Sequence, residues 1–244
     1  MSRTEARLEF LLPHEIRARL AERAVVYLPL GTIEWHCEHL PVGLDGLTAH
    51  GICLCAAIRD GGIVYPALYF GTGGGHSLYP WTVMMDGERE IVGEIEKALQ
   101  RLQDFGVRIA VLFSGHFAPG QLALIDEIAQ KWKASGRAMK VIATAVNRIE
   151  GLAFAPDHAG VFETTLLGGL WPDRVHLDRL ASLESAPLAP GDVWEEGRHD
   201  PKHPLWGVVG PDPRHYGVHR GAPLVSACVE WLVHKVWEEP KGGA

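Results

Sequence analysis

The stretch 108–113 (RIAVLF) is apolar at every position but its first, and it restricts the fold more tightly than any other part of the chain. A strand with one face in water alternates apolar and polar residues. A continuous apolar run marks a strand covered on both faces, as in a parallel sheet held between two layers of helix. A second such run, 24–30 (AVVYLPL), leads into the turn signal Gly31-Thr32. Residues 63–66 (IVYP) and 138–145 read as further strands. Helical patterns fall between them. Pro13 begins a helix over 13–22. An Ala-rich segment, 45–59, runs as a helix to a stop at Gly61-Gly62. Over 88–105, Ile91, Val92, Ile95, Ala98, Leu99, Leu102 and Phe105 make one apolar stripe, with charges opposite and Gly106 as terminator. Three more helices are expected: over 120–134, from near Gly160, and over 223–238. Strands that alternate with helices predict one α/β domain over residues 1–244, three layers deep (α/β/α), with a mainly parallel sheet. Sheets of this kind bind ligands beyond the carboxyl ends of their strands.

Several function classes are disfavoured. The formal charge is −7 and the Lys and Arg residues form no cluster, which argues against a nucleic-acid partner. Gly73-Gly74-Gly75 lacks the strand–GxGxxG–helix context of a nucleotide-binding loop. No stretch approaches the ~20 apolar residues of a membrane helix. Residues 1–12 are too charged and mixed for a secretory segment. The expected compartment is the cytoplasm and the expected partner a small molecule. Cys37, Cys53, Cys55 and Cys228 lack metal-ribbon spacing and read as small apolar core residues. Residues 186–215 are rich in Pro, Gly and Asp and carry His199, His203 and His215 without interpretable spacing. They read as an ordered excursion from the domain. Trp171, Trp194 and Trp206 read as packing residues.

Chemistry concentrates at three places. The first is 31–45 (GTIEWHCEHLPVGLD), at the end of the first apolar run. In extended chain Glu34 and His36 project to the same side, and Asp45 can return to them after the Pro41-Val42-Gly43 turn. An unpaired charge so close to a buried strand is costly. A solvated polar loop is an equally good reading of Glu38 and His39. The second is His116, just past the 108–113 strand; a hydrogen-bonded structural His is the plainer alternative there. The third is 157–165 (DHAGVFETT), where an acidic helix cap is the alternative.

Together these segments resemble the creatininase (creatinine amidohydrolase) family. That family carries P-L-G-(S/T)-x-E-(Q/W)-H-x-x-H-L-P followed by a nearby Asp, and residues 29–41 read PLGTIEWHCEHLP with Asp45 following. Its N-G-H-G-G-N segment corresponds to 114–119 (SGHFAP), and its H-(A/G)-G-x-x-E-T-S segment to 158–165 (HAGVFETT). The match runs over roughly 24–170 with order and spacing kept.

The resemblance implies a site for two divalent metal ions: zinc, manganese or iron. Glu34 and His116 would hold one, His36 and Glu163 the other, and Asp45 would bridge. Creatininase itself draws a ligand from a Glu two residues after the second-segment His; Ala118 stands there in this chain, which leaves that role to Glu163. His158 matches a proton-shuttling His, so the resemblance makes His158 and Glu163 the catalytic pair. It also implies a homo-oligomer, often a hexamer. The expected reaction is hydrolysis of a C–N bond in a small cyclic or linear amide by metal-activated water. Hydrolysis of a cyclic diketone or lactone is the alternative, and a catalytically silent scaffold a third. His76, Trp81 and Phe117 are candidate substrate contacts. Trp81 stands where the family has Gly, and 114–119 lacks the family's polar residues around His116; both changes point to a substrate other than creatinine.

Overall fold

The computed structural model describes residues 5–85, 88–188 and 196–238. Four strands, β1 (Val25–Leu30), β2 (Ile63–Val64), β3 (Ile109–Ser114) and β4 (Lys140–Ala145), form an all-parallel sheet in the order β2-β1-β3-β4. Among the described residues the helices are α1 (Pro13–Glu22), α2 (Leu44–Asp60), α3 (Glu88–Asp104), α4 (Pro119–Ala134), α5 (Val161–Leu170) and α6 (Gly221–Glu238), with short 3-10 turns between some of them.

The alternation of side chains along each strand builds two cores. Val25 and Tyr27 of β1, with Val111 and Phe113 of β3, pack against α2, α5 and α6 through Ile52, Phe162, Leu166 and Leu232. Val26 and Leu28, with Ala110 and Leu112, pack against α3 and α4 through Ile95, Leu99, Ile125 and Ile128. Both faces are covered, and the result is the expected α/β/α sandwich.

Two glycines decide where the strand ends meet the helical layer. Leu30 and Ser114 are partners in register, so Gly31 and Gly115 lie side by side beyond them. A Cβ on Gly31 would lie 2.2 Å from the Gly46 nitrogen, and one on Gly115 would lie 2.0 Å from the Asp45 carbonyl oxygen. Only residues without a side chain let the first turn of α2 seat directly on the ends of β1 and β3.

Phe105 departs from the expected stripe. It lies beyond the last residue of α3, is 60% exposed, and is covered by the Arg101 guanidinium 5.0 Å from its ring centre. Cys37, Cys53 and Cys228 are buried, Cys55 is half-buried, and all four are free thiols. Within the 186–215 excursion, Leu205 and Val208 join a third apolar cluster with Cys37, Leu40, Leu44 and Leu167, so this segment packs onto the loop that follows β1. Trp171 packs on the same cluster, and Trp206 packs against Trp35; Trp194 lies outside the described residues. No described helix is long and apolar enough to cross a membrane.

Candidate metal centre

Three backbone contacts fix the chain just past β1. Val83 N–H donates to the Ile33 carbonyl (2.8 Å), Trp35 N–H donates to Thr82 Oγ1 (2.9 Å), and Glu34 N–H donates to the Val42 carbonyl (2.8 Å). Cys37 then takes a left-handed conformation (φ 58°), which reverses the chain after His36. Asp45 enters from the first turn of α2, His116 from two residues beyond β3, and Glu163 from the first turn of α5. All five side chains are at most 5% exposed.

Their donor atoms converge in pairs. His116 Nδ1 lies 3.0 Å from Glu34 Oε2 and 3.3 Å from Asp45 Oδ2. His36 Nε2 lies 3.3 Å from Asp45 Oδ1 and 3.5 Å from Glu163 Oε2. Asp45 thus turns one oxygen to each imidazole. Two ligands sharing an ion at about 2.0–2.2 Å stand about 3 Å or slightly more apart, and these spacings match. Glu34 Oε2, His36 Nε2 and Asp45 Oδ2 are buried without a hydrogen bond, a costly arrangement unless a cation satisfies them.

The hydrogens of the rings point the same way. His36 Nδ1 lies 2.9 Å from the Glu34 carbonyl, and His116 Nε2 lies 3.3 and 3.2 Å from the carbonyls of Thr72 and Gly73. A carbonyl only accepts, so those nitrogens carry the N–H. In each neutral ring the other nitrogen then holds a lone pair facing the carboxylates. Metal-binding histidines are oriented by backbone carbonyls in this way.

Electrostatics agree. Burial pushes the Asp45 carboxyl up, but His36 and His116 outweigh it and hold it at about 2. Burial acts likewise on Glu34, and His116 and His76 hold it well below the carboxylate range. Burial opposes charge on His36, yet Asp45 and Glu163 raise it to about 10. His116 is raised as well, by Asp45 and Glu34 against burial. Burial, with Asp45 and Asp157 nearby, raises Glu163 well above its ordinary value. Among the described residues no Lys or Arg lines the cavity, whose volume is about 260 Å³. The raised His36 and His116 favour imidazolium beside these carboxylates, and a divalent cation can take the place of those protons.

A family model described as "Creatininase: Creatinine amidohydrolase" matches residues 11–236. The chain belongs to the creatininase family. It is 28% identical to the creatinine amidohydrolase of Pseudomonas putida over 248 residues, covering 92% of this chain and 94% of that protein. It is 27% identical to the mycofactocin precursor peptide peptidase of Mycobacterium ulcerans (strain Agy99) over 175 residues, covering 67% of this chain and 65% of that protein. The crystal structure of creatininase superposes with a TM-score of 0.74 at 25% identity, covering 98% and 99% of the two chains. A manganese creatininase and a creatininase variant of Zn-Zn type superpose with a TM-score of 0.73, each at 25% identity and covering 96% and 98% of the chains.

Within this creatininase fold, Glu34, His36, Asp45, His116 and Glu163 all meet at one place. The helix-cap reading of the third segment holds for Asp157, whose carboxylate accepts from the N–H groups of Gly160, Phe162 and Glu163. Glu163 accepts from Ala159 N–H with Oε2 and turns the same oxygen to His36. His158 lies beside them, its ring 4.4 Å from that of His36. Burial, then the neighbouring His36, lower its pKa to about 3. Phe117 lines the cavity with Ala118, Pro119, Pro156 and Val209.

Trp81 does not line this cavity. Thr82 turns inward to accept from Trp35, and Trp81 is left 77% exposed in a left-handed conformation (φ 58°). Glu38 is exposed as a solvated loop residue would be, but His39 is buried against Thr164 Oγ1 (3.0 Å). His76 is buried too, 3.3 Å from Glu34, and so belongs to the cluster. Nothing in its Gly-rich surroundings signals this, because the contact spans more than forty residues.

Proposed function

We propose that this creatininase-family protein is a hydrolase that opens a C–N bond of a small amide, using two divalent ions held by Glu34, His36, Asp45, His116 and Glu163. The observation that carries the reading is the bridging geometry of Asp45, with one oxygen 3.3 Å from each of two inward-facing imidazoles. The donor set is carboxylate and imidazole without thiolate, which suits zinc, manganese or iron. Bound ions of this kind polarise a carbonyl oxygen and acidify a water.

The protein's own groups do the rest. His158 donates Nε2–H to the Trp35 carbonyl at 2.9 Å, which fixes the ring and leaves Nδ1 as an acceptor. Held neutral by burial, it takes the proton of the attacking water and returns it to the departing nitrogen. Asp157 fixes the start of α5 and with it the Glu163 carboxylate. Phe117, Ala118, Pro119, Pro156 and Val209 give the substrate an apolar wall.

A peptide bond is the second reading, favoured by the peptidase relative. A screen of the metal-loaded protein against small amides, short peptides and lactones, read by release of ammonia or amine, separates these. Nitrogen release from small amides supports the proposal; turnover confined to lactones contradicts it. We further propose that the chain self-associates. Leu78, Trp81 and Val83 are exposed within six residues of one another, at 97%, 77% and 55%, and a second copy of the chain would cover them. Light scattering that gives a monomer would contradict this.

A further inference from the structure

Outside the cavity, the 186–215 excursion buries a charged side chain that no step above uses. Arg198 is 2% exposed, and among the described residues it is the largest side chain so enclosed. A guanidinium leaves water only where its N–H groups find acceptors. Arg198 Nη1 donates to the Gly210 carbonyl at 2.6 Å and reaches the Val208 carbonyl at 3.5 Å. The Arg198 carbonyl accepts from Gly207 N–H at 2.8 Å. One residue thus holds both ends of the strip 207–210.

The other side of the strip meets the segment that carries His158. His158 N–H donates to the Val209 carbonyl at 2.8 Å, and Val209 N–H donates to the His158 carbonyl at 2.9 Å. Val161 N–H donates to the Pro211 carbonyl at 3.2 Å. A Cβ on Gly210 would lie 2.4 Å from Asp157 Cβ, so the strip packs against the residue that caps α5. The His158–Val209 pair is an isolated antiparallel bridge outside the named strands. A single pair of this kind has little stability of its own and needs support from behind, where Arg198 lies. Val209 and His158 both line the cavity, and the His158 ring is 4.4 Å from that of His36. A slip of the strip is therefore a slip of His158 against the ion positions.

We infer that Arg198 is a positioning residue: by clamping the carbonyls of Val208 and Gly210 it fixes the Val209 bridge, and through that bridge the place of His158. Its bearing on catalysis rests on the hydrolase reading, in which His158 moves the proton; the placement itself does not. Arginine suits the task because its planar guanidinium spans two carbonyls, whereas a lysine ammonium is a single point charge.

Amide hydrogen exchange tests this, followed by nuclear magnetic resonance on the full-length protein, both zinc-loaded and metal-free. Wild type is compared with Arg198→Met, which keeps bulk and removes every donor, and with Arg198→Lys. In wild type the His158 and Val209 amides are expected to be protected. In Arg198→Met they fall at least about tenfold, toward the rate of a free peptide, while Val111 and Leu112 in β3 stay protected more than about a thousandfold. The Cε1–H resonance of the His158 ring moves with them, Arg198→Lys falls between, and zinc content matches wild type. Wild-type protection of the two amides in Arg198→Met would overturn the inference, as would unprotected amides in wild type or a zinc equivalent lost with Arg198. If β3 also loses its protection in Arg198→Met, that variant has unfolded and Arg198→Lys decides: loss confined to the two amides supports the inference, and no loss or general loss overturns it. Wild type that takes up no zinc defeats the hydrolase reading instead, and the metal-free samples still decide the role of Arg198.

Discussion

At the scale of single residues, the centre depends on where each imidazole keeps its hydrogen. Four histidines, His36, His76, His116 and His158, each place one ring nitrogen on a backbone carbonyl, and the other is left for the cavity. His116→Ala removes one such nitrogen from the Glu34–Asp45 side. Metal content is expected to fall from two equivalents to one, with activity down at least about a hundredfold and an unchanged far-ultraviolet dichroism spectrum. Full metal retention would exclude His116 as a ligand. The five proposed ligands could be picked out in the sequence because three segments resemble creatininase motifs, each within a few residues of a strand end or a helix start. His76 could be named as a candidate substrate contact, but its contact with Glu34 could not be read, nor could the burial of His39. Their partners, Glu34 and Thr164, come from distant segments, and no local pattern encodes that.

At the scale of elements, the seat of α2 on β1 and β3 is the feature that delivers Asp45. Gly115→Ala would drive a methyl into the Asp45 carbonyl, 2.0 Å away. The expected cost is about 2–4 kcal/mol in urea unfolding, together with weaker binding of both ions; an unperturbed variant would show that the contact is easily relaxed. His39 ties the loop after β1 to α5 through Thr164. Burial, then the neighbouring His36, lower it to about 3. The unfolded chain protonates this ring below about 6.5, whereas the folded chain resists until about 3. The stability it supplies is therefore complete above pH 6.5 and is lost as the pH falls through that window. At pH 5 the loss is about 2 kcal/mol. His39→Gln is expected to show a correspondingly smaller drop between pH 7.5 and 5 in urea unfolding of the metal-free protein; an equal drop would refute the assignment. The strands and helices themselves could be read from apolar periodicity, since two covered faces leave a plain signature. The position of Phe105 could not, because the stripe continues in sequence past the residue where α3 ends.

At the scale of the whole molecule, four carboxylates and three imidazoles line a cavity that no Lys or Arg among the described residues lines, with His36 buried beside it. A fold keeps such a collection of charge only if something cationic belongs there. The family match and the superposition on zinc and manganese creatininases accord with that. What the sequence left open at this scale was the shape of the cavity. Its apolar wall comes from α4, from the segment before α5 and from Val209, and these meet only in the folded chain. The most direct test is the metal content of purified wild type and Asp45→Ala, by inductively coupled plasma mass spectrometry after incubation with zinc, manganese or iron. Two equivalents in the wild type, with both sites weakened in the variant because Asp45 faces both imidazoles, is the predicted result. Wild type that stays metal-free, or a variant that keeps both ions, would contradict it.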